Sequence, residues 1–525
     1  VKRQLFTYTL FFVLLLMLSI LRLVFLESTF VDDAFIFIRY ADNYLNGYGF
    51  VWNLGEKPVE GFSSVLYQFL IIALMLIFEK PELTILIGGV VFSSINASII
   101  YHWLSRIENS LSYSDRLLGV LLFILSPSFL YWTASGMETA LFCMQYTITM
   151  YLITKKNINR KLLFVIGTQF GLLSIIRPEG VVLFTGYFLY FLFTSNNRYS
   201  MLILLLGLLT VLFPTVLWRY CYFNDIFPNT YYAKTGGGIF QVVGGLEYLW
   251  SGMKSIFSKG WFMIGILAGV GIYYNRFKRN GLFWFLSSLF VLTVILNGGD
   301  HFVFGRLLLP SMVVVVTELS LGIRNLALFL PNYSTRLRYI ILVVTLFLYS
   351  FSPVYQEAFQ GLTSLFISKS IIPLTRESGE VNSGYDWQRG FRIMAENLIK
   401  HVPEGKSVAA VPIGQLGYCS GLTIYDMVGL TDPQIAKEPF DEKYIRTWNP
   451  GHDKGNGKII LSKKPDYIQL TDYLTSSPQP YPCAEGMLFK SIVEILSSEE
   501  FWTHYEFFPI KVQENVYYNL YKKVK

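Results

Sequence analysis

Apolar runs recur along this chain at about 5–26, 63–78, 83–104, 117–133, 137–154, 161–176, 180–194, 201–219, 261–274, 281–297, 306–323 and 338–350. A soluble fold with this pattern, a mean hydropathy of +0.43 and 53% hydrophobic residues would expose large apolar patches, so the runs belong in a bilayer. Several are shorter than the roughly 20 residues a straight span needs, which softens their boundaries. The first run follows Lys2-Arg3 but is longer than a signal-peptide core and lacks a small-x-small cleavage site, so it is expected to be a retained span.

Orientation follows from the basic residues between runs. Lys155, Lys156, Arg160 and Lys161 mark one inner loop, Arg276, Lys278 and Arg279 a second, and Arg324, Arg336 and Arg338 a third. Residues 135–138, 177–180, 220–260, 297–306 and everything after about 353 are then expected outside. Twelve crossings from an inner N-terminus would return the tail inside, whereas eleven reconcile the count. The misfit lies between residues 62 and 135, where one segment is expected to be re-entrant or interfacial.

The net charge of +7 is modest, and the basic residues sit in short gaps rather than in stripes, which excludes a nucleic-acid partner. Residues 353–525 carry Pro, Gly, Asp and Lys at soluble frequencies. Short apolar runs at 408–411 and 467–470 and helical patterns near 387–400 and 488–497 predict a small extracytoplasmic α/β domain. Of the four cysteines, Cys419 and Cys483 could be bridged there or remain free thiols.

The first outer loop, residues 27–62, concentrates the chemistry. Polar residues at Arg39, Asp42, Asn43 and Asn46 have helical spacing among Phe, Ile, Tyr and Leu, which predicts an interfacial helix at the membrane surface. Asp32 and Asp33 head that helix, where its dipole favours anions. A capping pair is the competing reading, yet a cap needs one carboxylate and two adjacent ones repel. A carboxylate here can serve as the base for transfer of a sugar from phosphate to a hydroxyl, or hold a divalent cation such as Mg or Mn. Residues 47–53 predict a turn feeding an aromatic strand, with Asn53 at its end, and Glu60 leads into the next apolar run; Arg39, Asn53 and Glu60 are candidate substrate contacts.

The stretch VDDAFIFIRYADNYLNGYGFVWNLGEKPVEGFSS resembles the first outer loop of GT-C superfamily glycosyltransferases. It is most similar to the mycobacterial terminal arabinofuranosyltransferase group and its bacterial relatives. SGMETALF, IIRPEG, FPNTYYAK, NGGDHFVFGRLLLP and YDMVGLTDPQIA resemble further blocks of that group in the same order. The resemblance implies a polyprenyl-phosphate sugar donor, inverting transfer outside the membrane, and a catalytic Asp that falls on Asp32 or Asp33; Asp32 is the first choice for the base and Asp33 the second.

Arg177 and Glu179 flank Pro178 at the outer end of a run, where ionisable residues are costly unless paired. Arg177 could clamp a lipid phosphate, or simply pair with Glu179. Arg306 is a second phosphate candidate, with Asp300 and His301 as sugar contacts beside it, although a packed loop histidine is the commoner role. Lys234 is a third cation, and Tyr231 close by could stack on a sugar. Gly236-Gly237-Gly238 is expected to give that loop mobility. Glu138 is expected to cap a helix start, and Asp426 and Asp432 to be solvated loop carboxylates.

These readings converge on a polytopic α-helical membrane protein of the GT-C type, with about 11 spans plus an interfacial helix and a C-terminal extracytoplasmic α/β domain. Residues 1–352 form the expected catalytic domain and 353–525 the tail. The expected function is transfer of a sugar from a polyprenyl-phosphate donor to a glycan or lipid acceptor, in a bacterial inner membrane and in contact with its lipids. A non-enzymatic transporter or flippase of lipid-linked sugars is the alternative, but its polar residues should lie mid-span and its halves should be related.

Overall fold

The computed structural model describes residues 2–25, 30–107, 110–155, 157–194, 198–275, 281–355, 387–444, 448–481 and 489–524. Lys156, Arg276, Lys278 and Arg279 of the inner loops, and Cys483, lie outside the described residues. The apolar runs are helices: α1 (Lys2–Phe25), α3 (Val65–Met75), α4 (Pro81–Ile107), α5 (Tyr113–Ile124), α6 (Pro127–Thr133), α7 (Thr139–Ile153), α8 (Arg160–Ile176), α9 (Glu179–Thr194), α10 (Arg198–Phe223), α13 (Trp261–Asn275), α14 (Gly281–Leu296), α15 (Met312–Phe329) and α16 (Ser334–Tyr349). The segment expected as the first outer loop carries α2 (Asp32–Leu45).

Four helical segments are long and apolar enough to cross a membrane, and two bent pairs raise the number to six among the described residues. The protein is an integral membrane protein with several apolar spans and a C-terminal mixed sheet. Region 62–135 holds two departures from straight spans. Helix α3 has 11 residues, about 16 Å at the α-helical rise. Between α5 and α6 the path bends by 66°, because Pro127 cannot continue the α5 ladder and Ser126 caps a new helix through the Phe129 amide.

The stretch 220–260, expected as an outer loop, instead contains α11 (Asn229–Ala233) and α12 (Gly238–Ile256). Gln241, Glu247 and Lys254 interrupt its apolar run, which hid α12 from a hydropathy reading.

The chain divides into two compact units. The first comprises Val1–Leu26, Leu83–Leu217 and Val242–Leu362, and the second Glu27–Glu82, Trp218–Gln241 and Thr363–Lys525. The first unit is a helical body whose interior is filled by large side chains such as Trp103, Trp132, Tyr146 and Tyr187. Asp115, in a capping box with Ser112 at the start of α5, also meets Arg338 of α16 at 2.8 Å. Phe193, Leu202, Ile239 and Phe347 are among the many large apolar residues left exposed, as a lipid-facing surface requires.

In the second unit, β1 (Ser407–Ala410), β2 (Thr423–Asp426), β3 (Tyr467–Ile468), β4 (Tyr505–Gln513) and β5 (Val516–Lys523) form one sheet of order β2-β1-β3-β5-β4. The β1 pairings are parallel, and β5 pairs antiparallel with β3 and β4. Helices α17 (Trp387–His401), α18 (Gly414–Ser420), α19 (Pro433–Ala436), α20 (Gly457–Ser462), α21 (Lys490–Leu496) and α22 (Glu499–His504) complete the tail. Ala409, Val428, Ile460, Ile468, Ile492 and Phe501 are in its core. The elements expected near 387–400, 408–411, 467–470 and 488–497 are therefore α17, β1, β3 and α21.

Candidate active site

Helix α2 begins after Val31, which makes no side-chain cap, so neither aspartate caps this helix as the N-cap residue. The Asp32 carboxylate instead accepts the Gly414 amide at 2.9 Å and the Gln415 amide at 2.7 Å, at the head of α18. It thus occupies the anion-favouring start of a helix at the carboxyl end of β1. Gly414 and Gly417 permit this approach. A Cβ on Gly414 would meet the Asp32 carbonyl oxygen at 1.9 Å, and one on Gly417 would meet Arg39 Nη1 at 2.4 Å. Burial pushes the Asp32 carboxyl up to about 7; the two amide bonds oppose that shift and the adjacent Asp33 charge adds to it. Asp33 is half-buried, the more accessible of the two.

Arg39 is buried within this unit. Its Nε donates to the Trp52 carbonyl, and its Nη2 to Asn53 Oδ1 and the Leu422 carbonyl, while the guanidinium lies 4.4 Å from the Trp52 ring centroid. Asn53 donates to Ile424 O at 3.0 Å and to Glu56, and its Oδ1 also accepts the Ile424 amide at 3.0 Å. Residues 50–53 therefore run as irregular chain rather than the expected strand, because side chains and the end of β2 take the polar groups that a ladder would use. Glu60 is 2% exposed and forms a two-pronged pair with Arg219, one prong at 2.7 Å. Arg39, Asn53 and Glu60 thus have partners inside the fold, with Arg39 Nη1 left without a hydrogen-bond partner among the described residues.

Lys234 follows α11, is half-buried, and makes no ion pair or side-chain hydrogen bond among the described residues. Tyr231 is 42% exposed and stacks on Phe227 at 4.7 Å. Gly237 is fixed by contact rather than chosen for mobility, since a Cβ there would meet the Trp448 ring at 2.0 Å. Asp426 and Asp432 are not solvated either. The first accepts the Val428, Gly429 and Thr431 amides and shapes the loop after β2; the second caps α19 and pairs with Lys463.

The first unit carries its own charged group. Pro178 forces Arg177 into extended backbone and ends α8, and Glu179 opens α9. Arg177 meets Glu138 at 2.7 Å and Glu179 at 3.2 Å. Glu138 makes no side-chain cap to α7, because its carboxylate goes to this pair. Arg306, 3% exposed, pairs with Asp300, which lies 3.4 Å from His301. Arg306 also sits 4.6 Å over Phe302. The two pairs are coupled, since Arg306 acts on Glu138 and Asp300 on Arg177. Two guanidiniums thus face three carboxylates, while Arg177 Nε, Arg306 Nη1, Glu138 Oε2 and Glu179 Oε2 have no hydrogen-bond partner among the described residues. Among those residues, no group of three or more His, Cys, Asp or Glu has the arrangement of a metal site.

The sequence reading missed Gly414 and Gln415, whose only local signal is the Gly-x-x-Gly spacing, and Arg219, which lies at the end of an apolar run.

The chain aligns over 80% of its length with ArnT from Cupriavidus metallidurans bound to undecaprenyl phosphate, covering 85% of that chain at 11% identity and a TM-score of 0.52. The fold is of the GT-C type. The same ArnT in its apo state gives 12% identity, 79% and 85% coverage and a TM-score of 0.50. The archaeal oligosaccharyltransferase AglB from Archaeoglobus fulgidus, in complex with an inhibitory peptide and a dolichol-phosphate, matches over 88% of this chain and 69% of its own at 12% identity and a TM-score of 0.48. Residues 381–521 match the family model described as a domain of unknown function (DUF8728). No characterised protein matches the chain by sequence.

Proposed function

We propose that the protein transfers a sugar from a polyprenyl-phosphate donor to a glycan or lipid acceptor on the extracytoplasmic face of a bacterial inner membrane, with inversion. The observation that carries this reading is the GT-C fold shared with an ArnT that binds undecaprenyl phosphate, joined to an acidic pair at the head of α2. Residues 1–352 with the first outer loop are the catalytic part, and 353–525 the extracytoplasmic domain. The resemblance of the first loop to terminal arabinofuranosyltransferases makes arabinose the first sugar to test.

Geometry reorders the roles within this reading. Asp33, the accessible carboxylate, is the acceptor base. Asp32 is a positioning residue that fixes α2 to α18. Lys234, with no carboxylate on it among the described residues, is the first candidate for the donor phosphate, and Tyr231 for stacking on a sugar. Arg177 and Arg306 come second for phosphate because three carboxylates already balance them. With Glu179, Asp300 and His301 they suit sugar hydroxyls.

The test is transfer by purified protein from radiolabelled polyprenyl-phosphate arabinose, with other pentose and hexose donors in parallel, onto cell-envelope glycan. Asp33→Asn is expected to abolish transfer and Lys234→Gln to raise the donor KM with little change in kcat. Full transfer by both Asp33→Asn and Asp32→Asn would overturn the role given to the acidic pair, and no transfer by the unaltered protein from any of these donors would overturn the enzymatic reading.

A further inference from the structure

A groove of about 600 Å³ opens in the helical body, lined by Tyr8 of α1, Ser94, Ser98 and His102 of α4, and Ile148 and Tyr151 of α7. That volume lies within the range of small-ligand pockets, about 300–1,000 Å³. Its walls are apolar in effect, because the Ser94 and Ser98 hydroxyls are turned back onto the Val90 and Ser94 carbonyls of their own helix. Ser94, Ser98 and His102 recur every four residues and so form one stripe of α4.

The rim is cationic. Arg106 donates from Nε to His102 Nε2 at 3.1 Å, and Lys155 lies 5.3 Å from the Tyr151 ring centroid. Arg116 sits 4.9 Å over Tyr101, which meets Tyr8 edge-on, and Arg3 sits 3.9 Å over Tyr113, which meets Tyr101 in the same way. Among the described residues none of these four cations is in a salt bridge with a carboxylate. Unlike the guanidiniums of the Glu138–Arg177 group, they are held by aromatic faces, an imidazole and, for Arg116, the Ser112 carbonyl, with no carboxylate on them among the described residues. Tyr151 stands near the end of α7 opposite Glu138, about 20 Å away at the helical rise, which separates the groove from that group.

An apolar slot for a chain beside cations that meet no carboxylate among the described residues is complementary to an anionic amphiphile. We infer that this groove binds an anionic diacyl phospholipid, with one acyl chain against Ser94, Ser98 and Ile148 and the phosphate on Arg106, Arg116 and Lys155. Each basic residue near an anionic headgroup strengthens association by about fivefold. The site stands whether or not the protein transfers sugar, because no transfer residue takes part.

Native mass spectrometry tests it on the full chain, equilibrated with equal amounts of dioleoyl phosphatidylglycerol, dioleoyl phosphatidylethanolamine and undecaprenyl phosphate. Phosphatidylglycerol should be retained over phosphatidylethanolamine by about tenfold or more, given several cations on the rim. Arg106→Gln with Arg116→Gln, both at the rim and compatible with folding, should remove that preference. Ser98→Trp should fill the slot and lower phosphatidylglycerol binding with every charge in place. Equal retention of the two phospholipids, or phosphatidylglycerol binding unchanged in the double rim variant, would overturn the site. So would rim variants that release undecaprenyl phosphate alone, since the groove would then hold the carrier.

Discussion

Asp32 in the first outer loop accepts the backbone amide of Gln415 at 2.7 Å, 383 positions further along the chain. The same carboxylate takes the Gly414 amide, so one side chain satisfies two donors that the start of a helix leaves without partners. These bonds make the acidic pair unequal: Asp32 is buried on main-chain amides, whereas Asp33 is half-buried and, in the proposed function, the base.

That division can be measured. Asp32→Ala leaves two buried amides without acceptors, each costing about 1–3 kcal/mol, and should lower the melting temperature clearly. Asp33→Asn should cost less stability than Asp32→Ala, because Asp33 is half-buried whereas the Asp32 carboxyl is enclosed. It should nonetheless cut transfer by about a hundredfold or more, the usual contribution of a positioned base. Paired melting curves and transfer assays on both variants decide the matter; a large thermal loss in Asp33→Asn with none in Asp32→Ala would reverse the assignment.

The Asp32 carboxyl also predicts a pH dependence. Its folded value of about 7 lies above the unfolded value of about 3.9, chiefly through burial. Between these values the folded chain holds a proton that the unfolded chain has released. The stabilisation from this group is therefore fully present below about pH 4 and is lost as the pH rises through 7. Relative to Asp32→Asn, the wild-type melting temperature should fall from pH 4 to pH 8. Asp33→Asn removes a charge that raises the Asp32 value, so it should move the window to lower pH. Parallel curves for all three proteins would show that Asp32 does not titrate in this range.

What the sequence shows and what it hides follow the reach of each interaction. The helical stretches came from local periodicity, and α2 with its acidic head was legible for the same reason. The Asp32 contact was not, because its partners are main-chain amides that carry no side-chain signature. Arg39 and Asn53 read as candidate ligand contacts, and the sequence does not show that the carbonyls of Leu422 and Ile424 accept from both. Glu138 read as a helix cap because its position suits one, and only the three-dimensional fold places Arg177 beside it. Helix α12 was hidden by its own polar residues.

The Glu60–Arg219 pair supplies a test of structure against substrate binding. Glu60 is almost fully enclosed and both of its oxygens are engaged by the guanidinium. Removing either partner alone, as Glu60→Gln or Arg219→Met, should cost about 3–5 kcal/mol by stranding a buried charge. Replacing both with Met should recover most of that loss. A double-mutant cycle on melting measures the coupling. If the double variant is as unstable as the sum of the singles, the two residues act independently and Glu60 returns as a substrate contact.

Gly237 separates packing from mobility in the loop after Lys234. A methyl group there would overlap the Trp448 ring, with the nearest ring atom 2.0 Å away. Gly237→Ala should therefore destabilise the second unit by about 1–3 kcal/mol, the usual cost of overpacking. Trp448→Leu removes the ring and should make the added methyl group nearly harmless in the double variant. If the triple glycine served motion instead, Gly237→Ala would slow turnover while leaving melting unchanged, and Trp448→Leu would not rescue it. Because Lys234 is three residues away, a packing role also predicts that Gly237→Ala raises the donor KM in step with its thermal loss, and that Trp448→Leu restores both together.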